Sequence, residues 1–318
     1  MKDAYIGLDI GGMSFKGGVI DLKGNIIAQN KSYAETDCKN GKENFLVAVR
    51  KLIIDLINEA KEKGYRVKGI GAGVPGFVDN KKGIIEYCTN LRLFDVELGK
   101  YIKDLNLPLY LSNDANVAAL GEQRFGVAKG YKNVVMVTIG TGIGSGIIID
   151  DKLYEGNLGQ GAEIGHMVIV SDGKKCNCGR RGCFERYASA RALLEFAKSA
   201  MKNNKDTMLW ELCDHDIKKL GCQMIFNSAK EKDPIGEKII EKYIHYLGEG
   251  LLNICNIFRP ECIVIGGGIA NQKNYLLNKV NEYLKKNNYG IERCCSVEVK
   301  IAKLINDAGI VGAACLCF

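Results

Sequence analysis

Apolar positions fall in short strand-like runs through the first half of the chain and in long amphipathic stretches through the second. Residues 4–10 and 15–21 read as strands joined by a turn at Gly11-Gly12, and Lys23-Gly24-Asn25 turns the chain into a third strand at 26–29. Between residues 42 and 63, Phe45, Val49, Leu52, Ile53, Leu56, Ile57 and Ala60 recur at helical spacing, and Gly64 supplies the stop. Residues 67–72 form the continuous run of a buried strand that leads into Gly73-Val74-Pro75-Gly76; a hairpin of 77–79 and 84–86 follows. Residues 109–112 predict another short strand and 115–125 a helix. Then the opening pattern returns, with a strand at 134–139, a glycine turn at 140–144, and a strand at 145–149 closed by Asp150-Asp151-Lys152. Helices at 190–200 and 234–258, a strand at 262–265 running into Gly266-Gly267-Gly268, and a small-residue helix at 308–317 complete the pattern. Two strand–glycine turn–strand units, each opening an α/β half, predict a duplicated α/β protein with a cleft between its halves.

Composition sharpens the meaning of the turns. The 318 residues include 38 glycines and only 4 prolines, and a glycine turn lets backbone N–H groups approach an anion unobstructed. Hairpins use glycine anyway, so each turn alone is ordinary. The three runs together fit a nucleotide, with phosphates between Gly11-Gly12 and Gly140-Thr141-Gly142 and the base near Gly266-Gly267-Gly268. The Gly-Lys-Ser/Thr ending of a Walker loop is absent, and so is the GxGxxG dinucleotide fingerprint. Asp9, beside the first turn, is a candidate for holding Mg²⁺ through water.

Net charge is +7, with Lys and Arg scattered rather than striped, which argues against a nucleic-acid reader. The uncharged run 134–149 is shorter than the ~20 residues of a membrane span and carries four glycines. Acidic residues stand where a signal peptide needs an apolar core, so the 13 cysteines are expected as reduced thiols of a cytoplasmic protein.

Three of those cysteines form Cys176-Asn177-Cys178-Gly179-Arg180-Arg181-Gly182-Cys183, with His166 upstream. Three thiols on a glycine-bearing knuckle and one imidazole make a Cys₃His set for a structural zinc, because four protein ligands leave no open position. The other ten, among them Cys294, Cys295 and Cys315, read as incidental thiols. Zinc would tie the segment from Glu163 to His166 to Glu185, and these two carboxylates suit hydrogen bonding to sugar hydroxyls. Asn113-Asp114 follows a strand and opens a helix; the pair either caps that helix or supplies the carboxylate that accepts a hydroxyl proton in phosphoryl transfer.

Asp9-Ile10-Gly11-Gly12, the Gly73–Gly76 loop, Ser112-Asn113-Asp114-Ala115-Asn116, Gly140–Gly144, Gly161–His166, the knuckle with Glu185, and Ile263–Gly268 occur in order. Together they resemble the ROK family of bacterial sugar kinases and repressors, and most closely its glucokinase branch, over essentially the whole chain. The resemblance implies an actin-like ATPase fold of two α/β domains, residues 1–115 plus 304–318 and residues 116–303. It implies that ATP and Mg²⁺ bind with Asp9, Gly11, Gly12, Ser14, Lys16, Gly140, Thr141, Gly142, Gly266, Gly267 and Gly268. Hexose would bind with Gly73, Asn90, Asn113, Asp114, Glu163, His166 and Glu185, and Asp114 would be the base acting on the sugar 6-hydroxyl. His166 would also serve zinc with Cys176, Cys178 and Cys183. Members of this kind are dimers or tetramers. Two departures stand out: Met13 replaces the Thr usual after Asp-x-Gly-Gly, and Arg191 stands where Thr is common after Ser189-Ala190. Glucose is the leading substrate and N-acetylmannosamine the nearest rival. A sugar-responsive repressor would need a helix-turn-helix ahead of the first hairpin, which begins by Tyr5, and a non-catalytic sugar binder would be expected to lack Asp114.

Overall fold

The computed structural model describes residues 1–11, 15–32, 41–88, 91–290 and 297–318. Gly12, Met13, Ser14, Asn90, Cys294 and Cys295, named above, lie outside these residues. The helices of eight or more residues among those described are α1 (Lys42–Glu62), α2 (Asp114–Arg124), α3 (Ala190–Asn203), α4 (Cys222–Lys230), α5 (Pro234–Phe258), α6 (Lys273–Asn287) and α7 (Ala308–Cys315). No helix among the described residues is long and apolar enough to cross a membrane. The chain divides into two compact units, Met1–Met136 with Gly146–Ala162 and Ala302–Phe318, and Val137–Ser145 with Glu163–Ile301.

In the first unit, β1 (Lys2–Ile10), β2 (Phe15–Asp21) and β3 (Ile26–Ser32) form the antiparallel meander that the two glycine turns predict. β4 (Tyr65–Val74) then joins β1 in parallel, which requires a crossover, and α1 supplies it. This helix buries Phe45, Val49, Leu52, Ile53 and Leu56, each worth roughly 1.5–3 kcal/mol. α7 packs on β1 and β4 and on α2. The approach is close enough that a Cβ on Gly71 of β4 would fall 1.8 Å from the Ala313 carbonyl oxygen, so glycine there is a packing requirement. A small antiparallel sheet adds β5 (Phe77–Asp79), β6 (Ile84–Cys88) and β7 (Leu93–Val96). β8 (Leu109–Asn113) closes the main sheet in the order β3-β2-β1-β4-β8.

The second sheet repeats that order with β9 (Val134–Ile139), β10 (Ile143–Ile149), β11 (Lys152–Tyr154), β12 (Cys262–Gly266) and β13 (Glu298–Ile301), arranged β11-β10-β9-β12-β13. The duplication expected from the two hairpins is thus present in strand order. The second hairpin turn is tighter than its glycine run suggests. Gly140 N–H donates to the Gly142 carbonyl at 3.0 Å, and buried Ile143 already belongs to β10. In the second unit α5 packs against α3, α4 and α6. Its start follows elementary rules: Asp233 accepts the Gly236 N–H at 2.8 Å, and Pro234 takes the first helical position.

Candidate active site

In the first unit three adjacent strands end level with one another. Asp9 stands opposite Gly73 across β1 and β4, and Gly73 and Val74 stand opposite Ser112 and Asn113 across β4 and β8. Asp9, Gly73, Asn113 and Asp114 therefore lie at the carboxyl ends of the three parallel strands of a mixed sheet, where open α/β folds gather ligand-binding groups. Gly11 follows β1, and Lys16 faces Asp9 from β2. Asn113 is the cap of α2: its Oδ1 accepts the Ala115 N–H at 2.9 Å, and its Nδ2 donates to the Gly76 carbonyl at 3.3 Å. Asp114 Oδ1 accepts the same Ala115 N–H at 2.8 Å. Burial pushes the Asp114 carboxyl above the ordinary carboxylate range, outweighing hydrogen bonds from backbone N–H groups. Asp9 is likewise lifted by burial, opposed by Lys16 and reinforced by the charge of Asp114. The Asp9 carboxylate is a hard oxygen donor of the kind that suits a divalent cation.

In the second unit the glycine runs are neighbours. Gly267, at φ +80°, sits so close to β9 that a Cβ would fall 2.5 Å from the Ile139 carbonyl oxygen, one residue before Gly140. Gly266 ends β12, Gly268 opens a short 3₁₀ turn, and Thr141 is exposed. The Gly140 carbonyl accepts the Ala190 N–H at 2.9 Å, which ties the start of α3 to the turn. Arg191 in that first helical turn pairs with Glu195 at 3.4 Å.

Glu163 opens a 3₁₀ turn through His166, whose N–H donates to the Glu163 carbonyl at 3.0 Å. The knuckle is folded by its own backbone, with the Cys176 N–H on the Arg180 carbonyl at 2.8 Å and the Gly179 N–H on the Cys176 carbonyl at 3.1 Å. This brings one donor atom each from His166, Cys176, Cys178 and Cys183 within 4.8 Å of one another. Cys178 and Cys183 sulfurs are 3.6 Å apart, and Cys176 Sγ lies 3.8 Å from His166 Nδ1. Two thiolates on one tetrahedral zinc at ~2.3 Å would stand about 3.8 Å apart, so the donor set fits that metal. Nδ1 faces the sulfurs and leaves Nε2 on the other side of the ring. Glu185 lies against the same cluster, its Oε1 accepting from the Cys176 thiol at 3.1 Å and lying 4.0 Å from His166 Nδ1. Its Oε2 would be 2.7 Å from a Cβ on Gly142, so the carboxylate also rests on the glycine turn.

Thiol chemistry separates the cysteines further. Burial pushes Cys262, Cys315 and Cys317 up to about 12 and Cys222 to about 11, values at which a thiol is inert. At Cys178 burial is outweighed by the hydrogen bond from Arg180 N–H and by the neighbouring thiols, and the value is lowered. No disulfide joins the cysteines among the described residues.

Sequence reasoning gave no notice of Ala162, which adopts φ +63° immediately before Glu163. A side chain in the left-handed region costs roughly 1–2 kcal/mol, and such strain collects at binding sites. Ala162→Gly is expected to raise stability by about 0.5–1 kcal/mol, the relief being partly offset by glycine's greater unfolded-state entropy. Urea denaturation checks this; an unchanged midpoint would mean the turn is unstrained.

A profile described as the ROK family matches residues 5–318. The chain is 33% identical over 315 residues to the glucokinase of Streptomyces coelicolor, covering 97% of this chain and 96% of that protein. It is also 33% identical over 285 residues to the xylose repressor of Bacillus subtilis, covering 89% of this chain and 69% of the repressor. A crystal structure of a ROK family glucokinase from Streptomyces griseus in complex with glucose and AMPPNP superposes with a TM-score of 0.80 at 32% identity, over 98% of both chains.

Proposed function

The chain belongs to the ROK family, and on that premise we propose that it is an ATP-dependent hexose kinase that phosphorylates the 6-hydroxyl of glucose. The observation that carries the reading is Asp114. It is a carboxylate one residue past the end of a parallel strand, lifted above the ordinary carboxylate range by burial, and a raised pKa makes a carboxylate a stronger base. In this role it accepts the proton of the sugar hydroxyl as that oxygen attacks the γ-phosphorus and ADP leaves. Asn113, Glu163, His166 and Glu185 hold sugar hydroxyls; the glycine turns offer backbone N–H groups to the phosphates and room for the adenine. Asp9 would hold Mg²⁺ through water, and the ion would neutralise phosphate charge when bound. Zinc on His166, Cys176, Cys178 and Cys183 would be structural and would fix His166 and Glu185.

The Streptomyces griseus complex with glucose and AMPPNP supports these two ligands for this chain. The likeness to a xylose repressor favours a regulator as the second reading, against which Asp114 argues, since sugar sensing needs no base. The test is coupled ADP release with glucose, mannose, fructose, allose and N-acetylmannosamine. Turnover is expected to be highest with glucose; preference for N-acetylmannosamine would change the substrate, and no turnover with any of them would leave the regulator.

A further inference from the structure

β8 delivers Asn113 and Asp114, so whatever fixes the end of β8 fixes the carboxylate. The residue before them, Ser112, is fully buried, and its hydroxyl donates to Glu155 Oε1 at 2.5 Å. A hydroxyl donating to a carboxylate makes a stronger tie than a bond between two neutral groups. One residue earlier, the Leu111 N–H is held by Asn80 Oδ1 at 2.8 Å. Leu111 and Glu155 border a cavity of about 540 Å³, together with Asn80, Lys82 and Leu158. Leu111 itself is packed in the core and β8 is paired with β4 along its length, and the two polar ties add restraint where the strand borders this space.

Glu155 also holds a second segment. It follows β11, and its own carbonyl accepts the Gly161 N–H at 2.8 Å, closing the loop 156–161. That loop runs into the strained Ala162 and then Glu163. One residue thus restrains, through its carboxylate, the strand leading to Asp114 and, through its backbone, the loop leading to Glu163.

We propose that Glu155 is a positioning residue for the reaction, acting through Ser112 on the Asn113–Asp114 junction and through the 156–161 loop on Glu163. The proposal rests on the kinase reading, with Asp114 as base. Misplacing a reacting group by about 1 Å can cost roughly 100-fold, so Glu155→Ala is expected to lower kcat with glucose by about 10–100-fold. The KM for ATP should stay unchanged. Glu155→Gln, whose amide oxygen still accepts the Ser112 hydroxyl, should restore most of the rate. Ser112→Ala should lower kcat in the same sense, and Ser112→Ala/Glu155→Ala should be no slower than Glu155→Ala alone, because both changes remove one bond. Wild-type kcat in Glu155→Ala, or losses that multiply in the double variant, would overturn the proposal. Inactivity of the wild type towards every hexose would instead overturn the kinase reading. Hydrogen exchange on the same proteins reads the positioning without activity. Amides at 112–117 should lose protection in Glu155→Ala and keep it in Glu155→Gln, while those at 159–163, held by the backbone carbonyl that both variants retain, should stay protected; unchanged protection at 112–117 in Glu155→Ala would refute the restraint itself.

Discussion

Asp114→Asn is expected to lower hexose turnover by about 10³-fold, within the range for loss of a general base, while glucose still binds. The asparagine keeps an oxygen for the Ala115 N–H that Asp114 Oδ1 now accepts, so the start of α2 should survive. Asn113, the cap, is untouched. The sign of the pH effects follows from the lifted carboxyl. A base must be ionised to act, so wild-type kcat/KM should fall as pH drops through a value above the ordinary carboxylate range. Stability runs the opposite way. The folded chain binds the Asp114 proton up to a higher pH than the unfolded chain does, so this group's contribution to stability declines as pH rises from the ordinary value through the raised one. Asp114→Asn should therefore be more stable than wild type above that window and lose its advantage below it. Retained turnover in Asp114→Asn, measured at substrate saturation, would show that another group takes the proton.

Removing the metal site should have the second-largest effect. The four donors come from segments with little regular structure of their own, a 3₁₀ turn and a knuckle held by backbone bonds at 2.8 and 3.1 Å. Structural zinc contributes roughly 10–16 kcal/mol to folding of small peptide knuckles, so here it would organise the whole stretch from Glu163 to Glu185. Elemental analysis should find about one zinc per chain. Cys183→Ser, which alters a fully buried thiol, should abolish zinc retention and weaken hexose turnover by at least about 10–100-fold, the range already seen when only outer-shell partners are lost. The loss should appear mainly in the KM for hexose, because His166 and Glu185 sit on the cluster. Metal-free protein with full activity would contradict this assignment.

What could be read in the sequence follows the range of the interactions. The two hairpins and the buried face of α1 are local patterns, and the structure places them where periodicity does. The knuckle was legible because three of its donors lie within eight residues, in an order few other chemistries need. β7 escaped notice because Leu93–Val96 does not alternate: two buried residues flank exposed Phe94 and Asp95, and Asp95 turns to φ +49°. The bond between Ser112 and Glu155 spans 43 residues and joins two of the commonest residue types, so nothing in the chain announces it. Ala162 is similarly silent, since its strain is imposed by the loop and not by its own preference. That Asn113 rather than Asp114 is the N-cap of α2 also needed coordinates, because either residue type can cap a helix.

Phosphoryl transfer to a hexose hydroxyl leaves a phosphorylated sugar that identifies the reaction. Purified wild-type protein, incubated with glucose, ATP and Mg²⁺, should yield ADP and glucose 6-phosphate in equal amounts, the phosphate placed on C6 by ³¹P and ¹³C NMR. ATP consumption that is independent of sugar, or sugar binding with no phosphorylated product under the same conditions, would contradict it.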